Sequence, residues 1–124
     1  MGYSEGEISA ATLTMLLEKP LAECGRHLKL LTPDDLEEFK TYVIKKTGGA
    51  ESMLTVLRDE TDVSENEKLR FLKEVTEKEI LAGYDLIRRI DRIFEKMEED
   101  EAKAEKKRER EEKSRARKIG LLKG

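Results

Sequence analysis

Leu69, Leu72, Thr76, Ile80, Gly83, Ile87, Ile90, Phe94 and Met97 follow one another at steps of three or four residues, so in a helix they share one face. Val75, Leu86 and Ile93 flank that face and make the stripe wider than the two-position seam of a coiled coil. Such width predicts a long helix that packs on the rest of the chain as well as on a partner. Glu79 interrupts the stripe, and Leu81 falls nearly opposite it.

Ahead of this stretch the pattern predicts shorter helices. Ser4 followed by Glu7 forms a capping box, in which the hydroxyl accepts from a free backbone N–H and the carboxylate reaches back. The helix it opens runs to about Glu18, buries Ile8, Leu13, Leu16 and Leu17, and is ended by Pro20. Leu21, Cys24, Leu28 and Leu31 then share one face of a second short helix, which Gly25 weakens. Thr32-Pro33-Asp34-Asp35 opens a third helix: a hydroxyl caps it, proline takes the first helical position, and two carboxylates meet the positive end of the macrodipole. That helix carries Leu36, Phe39, Val43 and Ile44 and is predicted to stop at Gly48-Gly49 in a left-handed cap. A short fourth helix holds Met53, Leu54 and Leu57, and a second capping box, Ser64 with Glu67, launches the long one. No strand alternation competes with these assignments.

Beyond Met97 the apolar seam ends. Residues Glu98 to Lys118 comprise eight acids and nine bases, with only Ala and Ser between them. No core accepts such a helix, so it is expected to project into water. Pairs such as Glu99 with Lys103, Glu109 with Lys113 and Glu111 with Arg115 would support it by about 0.2–0.5 kcal/mol each, or it frays. Ile119-Gly-Leu-Leu-Lys-Gly closes the chain as a small apolar tip, a docking peptide or a disordered end. The fold expected is therefore all-α. A helical domain over residues 1–97 packs three or four short helices on the first half of one long, partly projecting C-terminal helix, followed by a charged extension over 98–118 and the tip 119–124.

Composition adds further points. The residues outside the charged stretch make a core near the practical lower limit, so stability is expected to be shared with a partner. Gln is absent and Asn66 is the single Asn, a drift seen in proteins that work hot. The net charge of −3 hides a segregation, because residues 103–118 carry nine bases and four acids, Lys123 adds one base, and residues 1–102 are left at −9. One cysteine, Cys24, excludes an intrachain disulfide and fits a reducing compartment. With no basic apolar leader and no run of membrane-spanning length, the expectation is a soluble cytoplasmic protein that does not enter a membrane.

Candidate chemistry is sparse. Cys24 and His27 stand three apart on a helix, but a tetrahedral zinc site needs about four ligands and the chain has no other Cys or His. The same shortage argues against a thiol nucleophile with its base. Asp34 and Asp35 are explained by the helix dipole, and Gly48-Gly49 lacks the Lys and hydroxyl of a phosphate-cradling loop. No enzyme, cofactor or metal is expected. Arg88, Arg89 and Arg92, interleaved with Asp85, Asp91 and Glu95, read as a salt-bridged solvated face.

Leu31-Thr-Pro-Asp-Asp-Leu-Glu-Glu-Phe, followed later by a long amphipathic helix, resembles in outline the helical domain of archaeal GINS replication subunits. A capped helix followed by a periodic one is common to many all-helical proteins, and these residues identify no family. The function expected is a non-catalytic adaptor or assembly subunit that forms a homo-oligomer and binds a protein partner, with Ile80, Ile87, Ile90, Phe94 and Met97 as the oligomer interface. The alternative is a nucleic-acid-binding accessory protein. In it Lys113, Arg115, Arg117 and Lys118, four bases within six residues, would neutralise phosphates, although no aromatic lies nearby for stacking.

Overall fold

The computed structural model describes residues 2–59 and 66–123, with residues 119 and 121–123 described by backbone alone. Its fold is all-α: helices α1 (Glu5–Glu18), α2 (Pro33–Asp59) and α3 (Glu67–Lys123), with two 3₁₀ stretches, Leu21–Glu23 and Gly25–Leu30, between the first two. The chain divides into two compact units, Met1–Asp91 and Arg92–Gly124. The core lies in the first.

Helix α1 starts as its sequence dictates, with the Ser4 hydroxyl accepting from the Glu7 N–H at 3.2 Å. Its buried face is Ser9, Thr12, Leu13 and Leu16, whereas Ile8 and Leu17 are exposed, contrary to expectation. A polar clamp turns the helix that way. The Ser9 hydroxyl, fully buried, donates to the Asp35 carboxylate at 2.5 Å and accepts from the Thr32 N–H at 2.8 Å. Thr32 in turn caps α2, its hydroxyl accepting from the Asp35 N–H at 3.3 Å. The start signal of α2 is thus also the point where α1 is fastened. A second tie, from the Tyr42 hydroxyl to the Leu17 carbonyl at 3.2 Å, holds the other end of α1.

Leu21, Cys24, Leu28 and Leu31 are all buried, as their spacing implies. They are carried by 3₁₀ turns rather than an α-helix, closed by i to i+3 bonds such as Cys24 N–H to the Leu21 carbonyl and Leu31 N–H to the Leu28 carbonyl, each 3.2 Å. Steps near three residues suit a helix of three residues per turn, and Gly25 withholds α-helical preference at the middle.

The expected stop at Gly48-Gly49 does not occur, and the predicted third and fourth helices are one continuous α2. No glycine of the described residues takes a positive φ. The reason lies in the apolar stripe: Leu36, Phe39, Val43 and Thr47 before the glycines and Leu54 and Leu57 after them are buried on one continuous face. Packing of that face outweighs the ~1 kcal/mol that each Gly costs against Ala in a helix. Ile44 and Met53, expected inside, are exposed.

Helix α3 is capped by Asn66, whose side-chain oxygen accepts from the N–H groups of Lys68 at 3.0 Å and Leu69 at 3.3 Å. Ser64, the partner expected for Glu67, lies outside the described residues. The first part of α3 runs antiparallel to α2, as the contacts of Thr76 with Met53, Gly83 with Thr47, Glu79 with Lys46 and Asp91 with Lys40 record. Gly83 packs directly against Thr47 of α2, since a Cβ there would overlap the Thr47 side chain. Thr76, Leu86 and Ile90 join it in the core. Glu79, which breaks the apolar stripe, pairs with Lys46 at 3.3 Å. Leu81 is exposed on the outer side of α3, and nothing in the structure accounts for it.

Candidate interaction surfaces

One side of the α2–α3 hairpin is only half covered. Cys24 packs there beside Lys46 and Glu79, whose charges reach its thiol. Met53 lies seven residues beyond Lys46, and Val75 and Leu72 lie four and seven residues before Glu79, so all three continue along that same side. Phe71 is 69% exposed, Met53 48%, Val75 44% and Leu72 39%, which makes a neighbouring set of large apolar side chains open to solvent.

The five residues expected to form an oligomer interface are distributed differently. Ile90 is 0% exposed and belongs to the core of its own chain. Ile80 and Ile87 are half-buried in the first unit. Phe94, half-buried, and Met97, exposed, belong to the second unit. The middle of the stripe, at Thr76, Gly83, Leu86 and Ile90, is buried within the chain, and its margins stay partly exposed.

The second unit is helical through Lys123, and residues 95–118 are all exposed. Among the described residues none of the expected pairs Glu99–Lys103, Glu109–Lys113 and Glu111–Arg115 closes as an ion pair; the bridges formed lie upstream, such as Arg89 Nε to Asp85 at 2.9 Å. The helix also splits the four bases singled out for nucleic acid. Lys113 and Arg117, four apart, share one side, whereas Arg115 and Lys118 lie on the other. What the helix does align is Lys103, Lys106, Arg110, Lys113 and Arg117, at steps of three and four, with no acid among them. Reading consecutive residues hid that ridge; reading every third or fourth reveals it. The side chains of Ile119, Leu121 and Leu122 lie outside the described residues.

Cys24 and His27 do not converge. The Cys24 thiol is buried against the Leu16 and Pro20 carbonyls at 3.5 and 3.4 Å, and burial raises its pKa above the ordinary value of 9.0, so at neutral pH it stays a protonated, weakly nucleophilic group. His27 lines an outer cleft instead. No group of three His, Cys, Asp or Glu side chains among the described residues could hold a metal ion, and no described helix is long and apolar enough to cross a membrane. No protein-family model, curated protein or solved structure matches the chain.

Proposed function

We propose that this protein is a non-catalytic helical adaptor or assembly subunit that works by helix-to-helix contact, first of all with a second copy of itself. The observation that carries the reading is the open apolar side of the hairpin, Met53, Phe71, Leu72 and Val75. Isolated exposed apolar residues are ordinary on a protein surface, whereas a contiguous group beside a small core marks an interaction face. A second copy is the occupant best matched in charge, because residues 1–102 carry −9 and residues 103–124 carry +6, so unlike ends of two copies attract. Sedimentation equilibrium over 1–100 μM is the test. Val75→Asp and Leu72→Ala each weaken self-association at least tenfold, about 1.4 kcal/mol. A compact wild-type monomer throughout that range, or variants that associate as the wild type does, would end the proposal.

The second reading, nucleic-acid binding, draws on the ridge from Lys103 to Arg117. Five aligned cations could release phosphate counterions and give a logarithmic salt slope of up to about −4.5 on duplex DNA. Lys106→Glu with Arg110→Glu then abolishes duplex binding while leaving the fold intact by circular dichroism. Equal binding by that variant removes this reading.

A further inference from the structure

The first unit is acidic in sum, yet one of its concavities is basic. A cleft of 520 Å³ opens between the end of α1, the 3₁₀ stretches and α3, and Lys19, Arg26, His27 and Arg89 contribute to its wall with Glu23 as the single acid. Its floor is Gly25. A Cβ there would stand 2.5 Å from Arg89 Nη1, so the missing side chain is what lets the guanidinium lie in the cleft. Arg89 is held by Asp85 through Nε at 2.9 Å, a contact that does not use its Nη groups. Neither Lys19 nor Arg26 makes an ion pair among the described residues, and the buried Nδ1 of His27 has no hydrogen-bond partner there.

Like charges gathered at a concavity repel one another, and two of these three permanent cations make no ion pair among the described residues. We propose that this cleft binds a phosphate group carried by a small molecule. A planar carboxylate satisfies one guanidinium fork, whereas a tetrahedral dianion offers oxygens to donors arriving from Lys19, Arg26 and Arg89 on three different elements. The cleft's volume lies in the range of small-ligand sites.

The full chain is titrated with inorganic phosphate, then pyrophosphate, with sodium chloride at matched ionic strength as control and succinate as the carboxylate arm, while amide and His27 side-chain NMR signals are followed. Shifts saturating at millimolar phosphate or below, confined to residues 19–28 and the neighbourhood of Arg89, are expected. Arg26→Ala weakens binding at least tenfold. Gly25→Ala keeps every charge but displaces the Arg89 guanidinium, and also weakens binding several-fold; Arg88→Gln, which removes an exposed charge one residue away, leaves it unchanged. Chloride reproducing the shifts, succinate binding as tightly as phosphate, or Arg26→Ala and Gly25→Ala binding like the wild type would each overturn the proposal. Circular dichroism on each variant separates lost binding from lost fold, and Arg26, being exposed, supplies a variant that keeps the fold.

Discussion

Replacing Gly83 by alanine sets two effects against each other. Helix propensity favours the change by ~1 kcal/mol, because glycine has more backbone freedom to lose than alanine. Against it stands Thr47 on the facing helix. The new methyl would overlap the Thr47 hydroxyl and lie 3.0 Å from its Cβ and 3.1 Å from its Cγ2. Rotating the threonine about χ1 moves the hydroxyl but leaves its Cβ in place, so α2 and α3 must separate by several tenths of an ångström. Overpacking of this kind costs roughly 1–3 kcal/mol. The net expectation is a loss of about 1 kcal/mol, which lowers the thermal midpoint by roughly 4–8 °C for a domain of this size. Thr47→Ala removes the worst overlap together with a buried hydroxyl that has no hydrogen-bond partner. In that background Gly83→Ala is therefore expected to cost less, with a coupling energy of about 1 kcal/mol. Urea unfolding of the two single variants and the double variant measures all three terms. Should Gly83→Ala alone stabilise the protein by the full propensity gain, the two helices are not in contact there and the packing described above is wrong.

Ser9→Ala strips the Thr32 N–H and the Asp35 carboxylate of a partner at the start of α2 and is expected to cost about 1–3 kcal/mol; a loss below about 0.5 kcal/mol would mean water replaces the hydroxyl. Truncation after Met97 removes residues 98–118, all of them exposed, so the thermal midpoint is expected to hold. A drop beyond roughly 4–8 °C shows that the charged extension packs on something. Stability is also expected to decline above pH 9. Burial raises the pKa of Cys24; a hydrogen bond to Asp91 raises that of Lys40; for Lys46 burial opposes, but its bonds to Tyr42 and Glu79 prevail; and a hydrogen bond to Glu51 raises that of Tyr84. In each case the folded state holds its proton more tightly than the unfolded state. The stabilisation is thus complete below the ordinary values of 9.0, 10.0 and 10.5 for Cys, Tyr and Lys and fades as pH rises through the raised ones. A urea midpoint that stays level from pH 8 to 11 would contradict this.

What could be read from the chain was local. Ser4 with Glu7 and Thr32 with Pro33 mark helix starts because the donors and acceptors involved lie within three residues of each other. The burial of Leu21, Cys24, Leu28 and Leu31 was equally legible, but a spacing shared by α and 3₁₀ turns does not say which one forms. Gly48-Gly49 misled because glycine is a permissive residue, and what decides its conformation is the packing on either side. The clamp from Ser9 to Asp35 spans twenty-six residues and leaves no periodic trace. The apolar stripe of α3 is a similar case. A stripe announces that something will cover it, yet only the fold shows that Ile90 is claimed by its own chain while Leu72 and Val75 are left open.

The uninterrupted course of α2 has a consequence in time rather than in space. An added Cβ at Gly48 or Gly49 would meet nothing within 4 Å, so neither glycine is required by a close neighbour. The helix is therefore weakest at its midpoint, where backbone freedom is greatest and side-chain support is least. Amide hydrogens around these two positions should exchange through small openings that leave the flanking turns closed, dividing one geometric helix into two segments of separate lifetime. Alanine at both sites would join those segments into a single slow-exchanging unit, and the midpoint of α2 would then open only when the hairpin itself comes apart.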